Sequence, residues 1–153
     1  MKSKSFLLRT FSVLVLGFIL ATTLSTQSMA QEKKSLYDRL GGYNALAAVV
    51  DDFIGRLVND ERFNKFFVGH SVDSQKKIRQ HILDQLCQAT GGPCIYTGRD
   101  MKTSHQGLKI SDADWDAAAK HLVESLDKFK VPKQEKDEVL TFVTSLKKDI
   151  VEK

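Results

Sequence analysis

Proline and cysteine are scarce in this chain, at two residues each among 153, and glycine stops at nine. That composition excludes a collagenous or a proline-rich disordered chain. No Asn-Gly or Asp-Gly pair is present, so the strongest short hairpin signal is missing. The signatures of common catalytic sites are missing too. There is no Walker loop, no His-Glu-x-x-His, no Gly-x-Ser-x-Gly, no paired Cys-x-x-Cys zinc spacing and no flavin or nicotinamide motif. An excess of one charge is absent from most of the chain. The formal charge of +4 draws on residues 1–30, which hold Lys2, Lys4 and Arg9 and no Asp or Glu. Beyond them 20 of the 23 basic residues face 19 acidic ones. A nearly neutral body argues against a nucleic-acid binder, which concentrates Lys and Arg on one face. The length allows one domain and not two comfortable cores.

What is present begins with an address. Residues 1–30 read as a secretory signal peptide: a basic start, an apolar stretch from Phe11 to Ala21, and the small-x-small site Ser28-Met29-Ala30. The apolar stretch is short of the roughly 20 residues that a membrane span needs. Cleavage after Ala30 leaves residues 31–153 as the mature domain, with no stable membrane span and a periplasmic or secreted location. No Cys follows the cleavage site, which argues against a lipoprotein. Export also places Cys87 and Cys94 in an oxidising compartment. They flank the turn Gly91-Gly92-Pro93 and are candidates for a disulfide. The alternative is a buried, apolar Cys87 and a free Cys94 thiol.

The mature chain reads as all-α. Helical spacing predicts a short helix over Leu36–Leu40 and a second over Ala45–Val58, with Leu46, Val49, Val50, Phe53 and Leu57 on one face. A helical turn over Asp60–Phe67 follows. Ser74 is the expected cap of the next helix, which carries Ile78, Ile82, Leu83 and Leu86 and stops at Gly91-Gly92-Pro93. The stretch from Cys94 to Asp100 is irregular, and Met101–Gln106 form a short helix. Ser111 or Asp112 starts a helix with Trp115, Ala118, Ala119, Leu122, Leu126 and Phe129 on its face. Pro132 opens the last helix, with Val139, Leu140, Val143, Leu146 and Ile150 inward.

Four histidines, His70, His81, His105 and His121, stand in this phenylalanine-rich helical frame. A lone histidine in a helical domain is more often a bystander than a metal ligand. His105 has an unusual setting, in a short helix between a glycine-rich irregular stretch and Gly107. A histidine held this way beside a Phe-lined apolar cavity suits axial ligation of haem iron.

Several motifs then occur in a specific order: Leu36-Tyr37-Asp38-Arg39-Leu40-Gly41-Gly42, Val49-Val50-Asp51-Asp52-Phe53, Phe66-Phe67, Gly91-Gly92-Pro93, Tyr96-Thr97-Gly98-Arg99-Asp100-Met101 and His105-Gln106-Gly107-Leu108. On these residues the chain resembles the bacterial truncated haemoglobins, most closely their first group, over about Ser35 to Val151. The resemblance implies a globin-like two-over-two helical sandwich around haem b (iron protoporphyrin IX). It implies His105 as the proximal iron ligand and Phe67 as the phenylalanine on the haem face. Phe53, Ile78, Ile82, Tyr96, Met101 and Leu108 are the implied pocket lining. Tyr96 has an alternative partner in a backbone group, and Lys102 or Arg99 is within reach of a propionate.

The distal side departs from the family pattern. Many relatives carry a tyrosine directly after the residue matching Phe53, and this chain has Ile54. Positions that often hold glutamine or leucine are Ile78 and Ile82. The polar candidates left are His81 and Gln85. His81 coincides with a position where some cyanobacterial members supply a second iron ligand. Either it binds the iron, giving a six-coordinate resting haem, or it points outward and leaves an apolar five-coordinate pocket. His70 is a fallback in the loop. His121 reads as a partly exposed histidine.

The leading expectation is an exported haem protein that reversibly binds oxygen, nitric oxide or carbon monoxide, rather than a dedicated enzyme. The alternatives are nitric oxide dioxygenation or peroxidase-like turnover, which needs an unknown reductase, and electron transfer or redox sensing by a six-coordinate haem or the cysteine pair. A haem-free helical interaction domain is the remaining class.

Overall fold

The computed structural model describes residues 34–152, which are helical with connecting turns and contain no strand. The expected signal peptide lies outside the described residues. In chain order the helices are α1 (Leu36–Arg39), α2 (Gly42–Asn59), a 3-10 turn (Glu61–Phe63), α3 (Asn64–Phe67), α4 (Val72–Ala89), α5 (Met101–His105), α6 (Asp112–Lys128), α7 (Lys133–Ser145) and α8 (Lys147–Ile150). Helix α2 packs against both α4 and α6, α6 against α7, and α5 against α8. Two helix pairs, α2 with α4 and α6 with α7, make the two-over-two globin sandwich. No helix among the described residues is long and apolar enough to cross a membrane.

The core follows from helical periodicity. Leu46, Val49, Val50 and Leu57 lie on one face of α2 and are buried. They meet Leu83, Leu86 and Cys87 of α4, Leu122 and Leu126 of α6, and Val139 of α7. Each aliphatic side chain buried this way contributes roughly 1.5–3 kcal/mol relative to its exposed state. Phe53, Ile54 and Ile82 are half-buried against this cluster.

Local chemistry sets the helix ends. Asp60 ends α2 and caps the next turn, its Oδ1 accepting from the Arg62 N–H at 2.9 Å. The cap of α4 is Ser71, three residues before the expected Ser74: its Oγ accepts from the Ser74 N–H at 3.2 Å. Both serines suit a cap, and the extended backbone falls on the first, so the helix gains a turn. Ser111 and Asp114 form a reciprocal capping box on α6. Gly92 is required by close approach: a Cβ there would stand 2.5 Å from the Tyr37 ring and 2.7 Å from Cys87 Sγ. The Tyr37 N–H donates to the Thr90 carbonyl at 2.8 Å, tying α1 to the end of α4.

Two expectations about the last helices are corrected. The predicted single helix after Pro132 is broken at Leu146 into α7 and α8, and α8 turns onto α5. Phe129, expected on the inner face of α6, is the residue after its last turn and is 41% exposed, with the Lys128 ammonium 5.6 Å from its ring centre.

Candidate functional site

The segment from Thr90 to Asp100 crosses from the end of α4 to the start of α5 without regular structure. The two helices do not pack closely on each other. Three contacts fix the crossing. Cys87 and Cys94 are joined by a disulfide, with Cα atoms 5.7 Å apart. The Gln88 side-chain oxygen accepts from the Tyr96 N–H at 2.6 Å. The Tyr96 hydroxyl donates to the Arg99 carbonyl at 2.5 Å, closing a small ring over Gly98, where a Cβ would collide with the tyrosine. Of the two partners expected for Tyr96, the hydroxyl takes the backbone one.

Asp100 then starts α5. Its Oδ1 accepts from the Thr103 N–H at 2.7 Å, and its Oδ2 accepts from the Thr103 hydroxyl at 2.9 Å. Those donors hold the Asp100 carboxyl below its usual range, the Thr103 N–H most of all. Four residues further, His105 Nδ1 lies 2.8 Å from the Met101 carbonyl oxygen. A carbonyl only accepts, so Nδ1 carries the proton and Nε2 keeps its lone pair. A metal-binding imidazole needs this tautomer, oriented through its second nitrogen.

On α4, His81 is half-buried, and its ring stands edge-on to that of Tyr96 with centroids 6.0 Å apart. His81 Nδ1 is buried without a hydrogen-bond partner. Such an atom costs about 1–3 kcal/mol unless a further group satisfies it. The neighbouring α4 positions Ile78, Ile82 and Gln85 are half-buried. Ile54 offers no donor. Phe67 is half-buried on α3, and Leu108 is 40% exposed after α5. The structure thus brings His81 and Tyr96 together, and Met101 and His105.

The other histidines have separate fates. His121 Nε2 pairs with Asp60 Oδ2 at 2.9 Å, and the imidazole packs edge-on to the buried Phe63 at 6.0 Å. That hydrogen bond is the main cause holding the Asp60 carboxyl below its usual range. His70 is exposed after α3. Two shallow surface grooves, one on α7 beside Asp137 and one along α2 beside His121, include neither His81 nor His105.

Sequence reading missed two acidic residues. Asp52 collects Arg56 Nε at 2.7 Å, the Ser125 hydroxyl at 2.9 Å and Lys128 Nζ, which clamps α2 to α6. Glu152 accepts from the Gly107 and Lys109 N–H groups just beyond His105, at 2.6 and 2.9 Å. Glu152 belongs to no sequence motif, and its partners lie on a distant turn. Asp52 stands inside the Val49–Phe53 motif, but its partners Ser125 and Lys128 lie on α6, which no spacing points to.

Comparison with known proteins agrees with this geometry. The family model described as "Bacterial-like globin" matches residues 35–152. The chain is 34% identical over 119 residues to the group 1 truncated hemoglobin GlbN of Mycolicibacterium paratuberculosis, covering 78% of this chain and 85% of that protein. Among solved structures, the 2/2 hemoglobin of Synechococcus sp. PCC 7002, in the cyanomet state and with covalently attached heme, superposes with a TM-score of 0.69 at 35% identity, covering 77% of this chain and 98% of that one. The Fe(III) form of the truncated hemoglobin of Tetrahymena pyriformis gives a TM-score of 0.70 at 29% identity, covering 78% and 100%.

Proposed function

The chain belongs to the bacterial-like globin family as a truncated haemoglobin of group 1, and from that membership we propose that it binds haem b between α4 and α5 and reversibly takes up oxygen or another diatomic gas. The single observation that carries the reading is His105. Its Nδ1 proton is committed to the Met101 carbonyl at 2.8 Å, and its Nε2 lone pair stays available for iron. Haem, when bound, supplies an axial position on iron for a small gas. The residues present fit that group. The proximal imidazole has the needed tautomer, and Phe53, Phe67, Ile78, Ile82 and Met101, all half-buried, are the apolar residues that would line the haem. His81 Nδ1 is buried without a partner, which leaves the ring free of any competing hydrogen bond through that nitrogen.

On the distal side, Ile54, Ile78 and Ile82 present hydrocarbon and donate no hydrogen bond. A polar ligand gains nothing from them, so a gas is retained weakly unless His81 or Gln85 turns to it. The His81 geometry favours a second reading of the resting state. The ring is half-buried and edge-on to Tyr96, so His81 Nε2 would be available to hold the iron as a second ligand, which a gas would have to replace. That arrangement also suits electron transfer. Nitric oxide dioxygenation fits less well, because it requires a donor to bound oxygen and a separate reductase.

We propose further that residues 1–30 direct export and that the protein works in the periplasm or outside the cell. The disulfide between Cys87 and Cys94 supports this, since such bonds persist in oxidising compartments.

Titration of the purified protein with haemin, followed by absorbance, tests the central reading. One equivalent is expected to saturate the protein and give a carbonyl spectrum after reduction under carbon monoxide. Absence of saturable binding would overturn it.

A further inference from the structure

Helix α5 carries His105 on five residues, none of them buried. An isolated helix needs roughly 12–15 residues to be even marginal in water. Something outside α5 must therefore fix it. At its start the Asp100 side chain does so. At its end the chain turns through two residues in the left-handed region, Gly107 at φ 84° and Lys109 at φ 53°. Glycine tolerates that conformation, and lysine does so at a cost.

This turn aims two backbone N–H groups at one carboxylate. The Gly107 N–H donates to Glu152 Oε1 at 2.6 Å, and the Lys109 N–H donates to Oε2 at 2.9 Å. These two amides, with Leu108 between them, converge on a single anion, and the site is filled here by the chain's own side chain. Hydrogen bonds to an ionised acceptor are the stronger kind. The Glu152 N–H returns a third bond, to the Ile110 carbonyl at 2.8 Å. Glu152 follows α8, the helix on which α5 packs. Lys147 of α8 pairs with Asp112 Oδ1 at 2.7 Å, so the far end of the linker to α6 is held to α8 as well.

We propose that Glu152 is a positioning residue for His105. By accepting from both amides of the turn it fixes the end of α5, and with it the direction in which Nε2 points. The chain of cause is short. The imidazole is tied through Nδ1 to Met101 of its own helix, so ring and helix move together. The helix is seated by bonds that span 43 and 45 residues of sequence, which no local preference supplies. The same two N–H donors, Gly107 first, hold the Glu152 carboxyl below its usual range, so it is ionised at neutral pH. This inference rests on the reading of His105 as the haem ligand, and the test separates the two.

The variants are Glu152→Ala, which removes both acceptors, and Glu152→Gln, which keeps the shape and turns an amide NH2 toward one backbone N–H. Three quantities are measured. Amide hydrogen exchange at Gly107 and Lys109 in the haem-free protein is expected to rise about tenfold in Glu152→Ala, as expected when the acceptor of a protected amide is lost. The iron–histidine stretching band, recorded on the carbonyl form just after photolysis, is expected to shift or broaden. Haem transfer to apomyoglobin is expected to accelerate about ten- to a hundredfold, the usual consequence of losing a group that orients a ligand. Glu152→Gln should fall between Glu152→Ala and the parent. Unchanged exchange at both amides overturns the inference. So does faster exchange with the band unmoved and haem transfer within twofold of the parent, because the clasp would then be structural only. In His105→Ala the iron–histidine band should vanish. Its survival would overturn the haem reading itself, a failure distinct from that of the Glu152 clasp, which the exchange data report independently.

Discussion

The ring of His81 stands edge-on to the ring of Tyr96, with centroids 6.0 Å apart. This contact, beside the disulfide and the Gln88 hydrogen bond, joins α4 to the segment that leads into the helix of His105. It also holds His81 where its Nδ1 is buried and unsatisfied. The arrangement predicts a six-coordinate resting iron. His81→Ala should convert the reduced spectrum from low-spin to high-spin. Carbon monoxide should then bind about tenfold faster or more, because the open state no longer has to be populated first. A parent protein already five-coordinate when reduced would show that His81 only packs.

The disulfide secures the same segment from its other side. Cys87 is fully buried at the end of α4, and Cys94 lies two residues before Tyr96. Cys94→Ser should lower stability by about 2 kcal/mol, the scale for closing a loop this short. It should also loosen the Tyr96 contact and raise the five-coordinate fraction of the reduced protein. Guanidinium unfolding and the absorption spectrum read the two effects. An unchanged unfolding midpoint would mean that Tyr96, Gln88 and Asp100 hold the crossing without it.

Acid should undo the clamp between α2 and α6. Asp52 is held below the ordinary carboxyl value of 3.8, first by the Arg56 hydrogen bond, then by Lys128. A carboxyl whose value is lower folded than unfolded contributes its full stability above the unfolded value. It loses that contribution as pH falls through the folded one. Asp51, Asp60, Asp100 and Asp114 are shifted in the same direction. Thermal stability should therefore hold from pH 7 to about 5 and fall from about 4 downward. Asp52→Asn should cost about 2 kcal/mol at pH 7, in the range for hydrogen bonds to charged groups. It should also flatten the acid limb of a plot of melting temperature against pH. An acid limb as steep as the parent's would place the titrating group elsewhere.

How much of this could be read from the residues differs by element. The stripe Leu46, Val49, Val50 and Leu57 announces α2 because its spacing keeps one face apolar through about three turns. The motif around His105 was legible for another reason: its residue types and their order carry the resemblance to the globins. The cap of α4 falls three residues before the serine that the pattern suggests, because Ser71 and Ser74 satisfy the same local rule and only the backbone conformation separates them. The break at Leu146 has no glycine or proline to signal it. It is set by α8 turning onto α5. Phe129 follows the helical stripe on paper, but the helix ends before it. Glu152 could not be found by pattern at all. Its partners are backbone amides of a distant turn, and backbone atoms leave no mark in a side-chain motif.

The central claim is that His105 Nε2 is the protein's iron ligand, with Nδ1 committed to Met101. The most direct measurement is the absorption spectrum and haem retention of His105→Gly, with and without added imidazole. The account predicts that the variant loses haem readily and lacks the normal reduced spectrum, and that imidazole diffusing into the vacated space restores both. A variant that keeps haem and the parent spectrum without imidazole would contradict it.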